Sequence, residues 1–338
     1  MPRQLQLALF FASVLWIVAA NLVASSAAHG LTTWLVLPEW SNAVASVMSI
    51  FLMLLGFRVL QSISGSSTTM QELAGLPRRS TAREEWLTGA ALGWGMVVVA
   101  ILPMALAGTL HVHFVLDSHN ISLVLVSLVT LLSAALAEEI AFRGYSFGRL
   151  IEVMGPGKAS FTLAIGFGLI HVFNPGATLF STLTTVTAGL LFALAWLRTR
   201  ALWLGWGMHF AWNASLGILF GLPVSGLNTF STVVMTRAVG SHWLTGGAYG
   251  PEAALFTVPT LLAGIAVLYA ITGEYAWQYA RAPIIAAGIP MDIPAPAAHT
   301  AMEAAATAAP PALVQILPST PQGLTATPPP ASGSDEHN

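Results

Sequence analysis

Apolar residues fall along this chain in about eight blocks of roughly 20 residues, the length a helix needs to cross a bilayer. The blocks are Gln6–Ser26, Ala43–Ile63, Trp86–Leu106, Ile121–Phe142, Ala159–Val172, Leu179–Leu197, Leu202–Leu222 and Ala253–Ile271. The fifth is short. Pro103 and Pro259 fall inside blocks, so kinks are expected there. This pattern predicts an all-α, polytopic transmembrane bundle of about eight spanning helices. The first block follows Met1 and Arg3 and could be read as a signal peptide, but it is too long for an h-region of roughly 7–15 residues.

Composition agrees with the pattern. The chain has 338 residues, 55% hydrophobic and only 8% charged, with a mean hydropathy of +0.74. A soluble domain carries about 25% charged residues. The net charge of -2 says nothing of partners, and no basic patch suggests nucleic acid. The lipid bilayer is the implied environment. Cysteine is absent, which excludes disulfides, thiolate nucleophiles and cysteine zinc sites.

The basic residues set an orientation. Threading eight spans places all of the 12 Lys and Arg except Arg237 on one side, which is then cytoplasmic by the positive-inside rule. Both termini are expected there, with Ala27–Pro38, His111–Asn120 and Gly221–Pro251 outside. From Pro283 to Pro330 the chain holds 11 of its 20 prolines, mixed with Ala, Thr and Ser. Such a segment cannot bury enough surface to fold. The expected organisation is an N-terminal pair of helices with a cytoplasmic loop over 1–85, a core over 86–281 and a disordered cytoplasmic tail over 282–338.

Chemistry concentrates in three polar groups at membrane depth. The first is Glu138, Glu139 and Arg143, which end the charge-free run Ile121–Ala137. A charge at a helix centre costs roughly 2.5–3.5 kcal/mol on insertion scales, so it needs a partner or a function. Glu139 and Arg143, four apart, lie one above the other; Glu138 is rotated about 100° away. The spacing predicts one paired carboxylate and one left free for chemistry. The second group is His171, one helical turn after Phe167. The third is His209 with Asn213, four apart on one face. At about 1.5 Å per residue the groups lie roughly 14–20 Å from the cytoplasmic ends of their helices, so one cavity opening to the cytoplasm could hold them all. Taken singly, each could be an ion pair or a packing hydrogen bond. Together at matching depth they indicate a site.

In order and spacing, Glu138-Glu139-x-x-x-Arg143, Phe167-x-x-x-His171 and His209-x-x-x-Asn213 resemble the CPBP intramembrane protease family, which includes CAAX-prenyl endopeptidases and bacteriocin-processing or self-immunity proteins. The resemblance covers about Trp86 to Asn213 and implies an intramembrane endopeptidase. It implies Glu138 as the general base that activates water, His171 as its helper, His209 and Asn213 as the oxyanion-stabilising pair, and Glu139 and Arg143 as supporting residues. The family is often called metalloprotease. Zinc held by Glu138, His171 and His209 stays open, and the metal-independent version is preferred because no short-spaced ligand pair is present. The aspartates Asp117, Asp292 and Asp335 lie outside the blocks, which excludes a paired-aspartate protease, and no H-E-x-x-H motif occurs.

Two other classes compete: a catalytically silent scaffold or immunity protein of the same family, and a proton-coupled transporter. A scaffold has no need of all four of Glu138, His171, His209 and Asn213. A transporter should show repeated halves or paired interrupted helices, and neither is apparent. The alanine-rich composition is bacterial in style and suggests the cytoplasmic membrane of a bacterium. The substrate class is then a peptide precursor or membrane protein rather than a prenylated one.

Overall fold

The computed structural model describes residues 2–64, 69–228, 230 and 233–273. They form helices α1 (Arg3–Trp34), α2 (Ser41–Ile63), α3 (Met70–Leu73), α4 (Ala82–Leu106), α5 (Ser118–Arg143), α6 (Tyr145–Met154), α7 (Pro156–Ile170), α8 (Leu179–Thr199), α9 (Trp203–Ala214), α10 (His242–Thr245) and α11 (Thr257–Ile271). A π-helical turn, Ser215–Leu219, extends α9. Strands β1 (Leu110–Phe114) and β2 (Val234–Ala238) pair antiparallel, with Val112 opposite Thr236. The all-α class is borne out. The proline-rich tail expected from residue 282 lies outside the described residues.

Five helical stretches are long and apolar enough to cross a membrane: Arg3–Trp34, Pro38–Ile63, Ala82–Leu106, Ser118–Met154 and Leu179–Thr199. The chain is an integral membrane protein. Five such stretches stand among the described residues where about eight were expected. The blocks at 159–172, 202–222 and 253–271 fold as α7, α9 and α11, of 15, 12 and 15 residues. As regular α-helices these fall short of the roughly 20 residues a lone spanning helix needs, although a 3₁₀ turn continues α7 and the π turn continues α9. α9 can be short because protein, not lipid, surrounds it: Leu204, Gly205, Gly207, Met208, His209, Ala211 and Trp212 are all buried. Pro103 stands inside α4 as expected. Pro259 instead falls in the first turn of α11, where no intrahelical N–H bond is lost.

Small residues let α4 and α9 touch backbone to backbone. A Cβ on Gly93 would stand 2.2 Å from the Met208 carbonyl oxygen, and one on Gly207 would stand 2.1 Å from that of Trp86. Apolar solvent gives helices no hydrophobic reason to associate, so such close packing is a main source of attraction between them. Around this contact lies the main core, with Met96, Val97, Met104, Phe167, Leu191, Leu204, Met208 and Leu261 buried. A second cluster joins α1 and α2 to α5 through Met53, Phe57 and Ile140.

Polar contacts define two ends of the bundle. At the basic end, Arg79 donates to the Thr199 carbonyl (2.8 Å), Trp203 Nε1–H to that of Pro77 (3.1 Å), Arg149 to Gln6 Oε1 (3.0 Å) and Arg198 to Thr272 Oγ1 (3.0 Å). Glu85, fully buried, pairs with Arg79 there. At the opposite end the β1–β2 ladder ties the loop before α5 to the loop before α11, and Arg237 sits in it opposite His111. Asp117 caps α5 beside this ladder by accepting from the Asn120 N–H, which holds its carboxyl below the usual carboxylate range.

Candidate active site

The last turns of α5 carry the first polar group. Glu139 is fully buried, and its Oε1 accepts from Arg143 Nη1 at 3.2 Å. The buried guanidinium also donates from Nη2 to the Gly189 carbonyl at 3.0 Å. Its Cζ lies 4.6 Å from the centroid of Phe167 and 5.2 Å from that of Phe192. A buried arginine is costly unless paired and hydrogen-bonded. Here the carboxylate, the carbonyl and the aromatic faces supply the compensation. Gly144 then breaks α5 from α6; a Cβ there would lie 2.3 Å from the Ile140 carbonyl oxygen.

His209 of α9 joins the group. Its Nδ1 is 2.9 Å from Glu139 Oε1, and its ring stacks on Phe192 with centroids 4.7 Å apart. A carboxylate only accepts, so the proton belongs to Nδ1. The other ring nitrogen, Nε2, lies 3.7 Å from Oε2 of Glu138. That Oε2 is buried and has no hydrogen-bond partner, although the Glu138 side chain is 36% exposed as a whole. The division expected from spacing is the one observed: Arg143 serves Glu139 and leaves Glu138 unpaired by any cation except His209.

His171 and Asn213 meet His209 on the wall of a cavity of about 40 Å³. That volume holds about three waters at most and no peptide. His171 stands where α7 passes into a 3₁₀ turn, and its Nδ1 donates to the Phe167 carbonyl at 2.7 Å. In the neutral ring this leaves Nε2 as the acceptor. His171 makes no hydrogen bond or ion pair with Glu138, and Glu138 is not among the cavity's lining residues. His209 is the member common to both clusters.

The cavity is completed by residues that sequence reasoning passed over. Ser225 and Glu252 reach it from the segment between α9 and α11, at the ladder end of the bundle. Glu252 accepts from Trp212 Nε1 at 2.9 Å and from the Ser225 N–H. It therefore pins this loop to α9 one residue before Asn213, within electrostatic reach of His171. The one signal available in the sequence was a carboxylate at the very start of the apolar block 253–271, directly after Gly250-Pro251.

A metal does not fit this arrangement. Among the described residues no group of three or more His, Asp or Glu side chains could hold a metal ion. Glu138, His171 and His209 do not converge on one point. No step is routed through zinc.

The fold and site together are those of a membrane-embedded helical protein that carries carboxylates and histidines inside an apolar bundle. The Rce1-like family model, described as type II CAAX prenyl endopeptidase Rce1-like, matches residues 120–215. Glu138, Glu139, Arg143, His171, His209 and Asn213 all lie within that stretch, and the match supports the likeness to the CPBP and CAAX proteases over that part of the chain. No curated protein and no solved structure matches the chain significantly.

Proposed function

We propose that the protein is an intramembrane endopeptidase that hydrolyses a peptide bond of a peptide or membrane-protein substrate with a water activated by Glu138. The observation that carries this reading is the unpartnered Oε2 of Glu138, 3.7 Å from Nε2 of His209. A water placed there would give its proton to Glu138 as it attacks the carbonyl carbon, and the new carboxylic acid would pass that proton to the leaving amine. His209 is held by Glu139, and as the imidazolium its Nε2–H stabilises the oxyanion together with the Asn213 amide. His171 offers an acceptor nitrogen that orients a water in the cavity. Arg143 holds Glu139 in place.

The basic end of the bundle is the cytoplasmic face in this reading, with both termini on that side. The test is cleavage of a fluorogenic peptide library by the purified chain in nanodiscs, wild type against Glu138→Gln. Equal turnover by the two proteins would overturn the proposal.

A further inference from the structure

At the basic end, away from the cavity of His171 and Asn213, the turn after α3, the α5–α6 junction and the α8–α9 turn enclose a cleft of about 370 Å³. Arg149, Arg200, Tyr145 and Trp196 line it, with Arg143 behind and Glu72 at one side. Arg200 occupies the cap of α8 in the left-handed conformation, φ 55° and ψ 30°. Glycine is the residue that suits such a cap. An arginine held there in a strained backbone points to a task for its side chain.

The side chain is in an unusual state. Its Nε is buried with no hydrogen-bond partner, and among the described residues it forms no ion pair. Burial pushes Arg200 down to about 10, which leaves it cationic at neutral pH. The Tyr145 hydroxyl, on a side chain only 7% exposed, is also buried without a partner. Arg149 stands with its Cζ 5.2 Å over the Tyr145 ring. Among the described residues Glu72 forms no ion pair with the cleft's arginines; its Oε2 takes the N–H and hydroxyl of Thr69. Arg143 is engaged by Glu139 and the Gly189 carbonyl.

We propose that this cleft binds a phosphate group supplied by an anionic phospholipid headgroup. An arginine fork and a phenolic O–H from different elements match phosphate oxygens, which accept from several directions at once. The cleft lies at the ends of the stretches Pro38–Ile63 and Leu179–Thr199, both long and apolar enough to cross a membrane.

The test uses the full chain in nanodiscs and reads the thermal midpoint by tryptophan fluorescence. Replacing part of a phosphatidylcholine bilayer by phosphatidylglycerol should raise the midpoint by several degrees in a saturable manner. Arg200→Gly should match or exceed the wild-type midpoint in pure phosphatidylcholine, because glycine accepts the left-handed cap, yet lose most of the rise. Arg200→Asn, which also tolerates that conformation, provides a second neutral variant, and Tyr145→Phe should reduce the rise. Arg78→Gln, at an exposed arginine on the same end, should keep it. A similar rise from inorganic phosphate in phosphatidylcholine would uphold the phosphate site and assign it to a free anion. The proposal is overturned by a full rise in both Arg200 variants, by equal loss in Arg78→Gln, or by no response to either ligand.

Discussion

Oε1 of Glu139 is shared: Nδ1 of His209 approaches it to 2.9 Å and Nη1 of Arg143 to 3.2 Å. One carboxylate oxygen thus ties α9 to the end of α5 and fixes which nitrogen of His209 faces Glu138. The two adjacent glutamates divide into a structural anchor and an unpaired carboxylate.

That division predicts opposite consequences for two isosteric changes. Glu138→Gln should lower cleavage by about 10²-fold or more, the usual contribution of a positioned base, while leaving the unfolding midpoint unchanged. Glu139→Gln strips Arg143 and His209 of their shared anion. Breaking a buried pair costs roughly 3–5 kcal/mol, so lower yield and a lower midpoint are expected. Side-by-side turnover and thermal unfolding of the two variants decide this, and an active Glu138→Gln contradicts it.

Metal dependence follows from the same geometry. Active enzyme should carry substoichiometric zinc, chelators should inhibit weakly, and His209→Asn should keep measurable activity because an amide can still donate to the oxyanion. One zinc per active chain by elemental analysis, lost with activity in His171→Ala and His209→Ala, would reverse this expectation.

Glu252 should act through the loop it anchors. Glu252→Ala leaves the Trp212 and Ser225 donors without their acceptor, and hydrogen bonds to a charged group contribute about 1.5–3 kcal/mol each. Activity should fall by roughly tenfold or more while the chain remains folded, and limited proteolysis between residues 223 and 252 should speed up. Glu252→Gln, which still accepts from Trp212, should fall between the two. Unchanged proteolysis and activity in Glu252→Ala would remove Glu252 from the site.

Topology can be read with two cysteines placed in this cysteine-free chain. Ser118 and Ser241 are exposed at the ladder end, close to β1 and β2 respectively. Both should react with an impermeant maleimide from outside intact cells. Labelling of either only after permeabilisation inverts the proposed orientation.

Local rules were enough for the helical class, the long apolar stretches and the Glu139–Arg143 pair. Hydrophobic block length and i,i+4 spacing are properties of the chain itself, and Phe167 and His171 do meet one turn apart. Tertiary structure decided the rest. The regular length of α9 was overestimated because a helix sheathed by protein need not match the bilayer, and hydropathy cannot tell protein neighbours from lipid. The partner of Glu138 is His209 rather than His171, 71 and 33 residues away respectively, because the glycine contacts of α4 with α9 set where His209 stands. Glu252 entered the site through a loop whose path depends on the β1–β2 ladder. No periodicity records such contacts, since they join segments distant in sequence through backbone pairing and close packing.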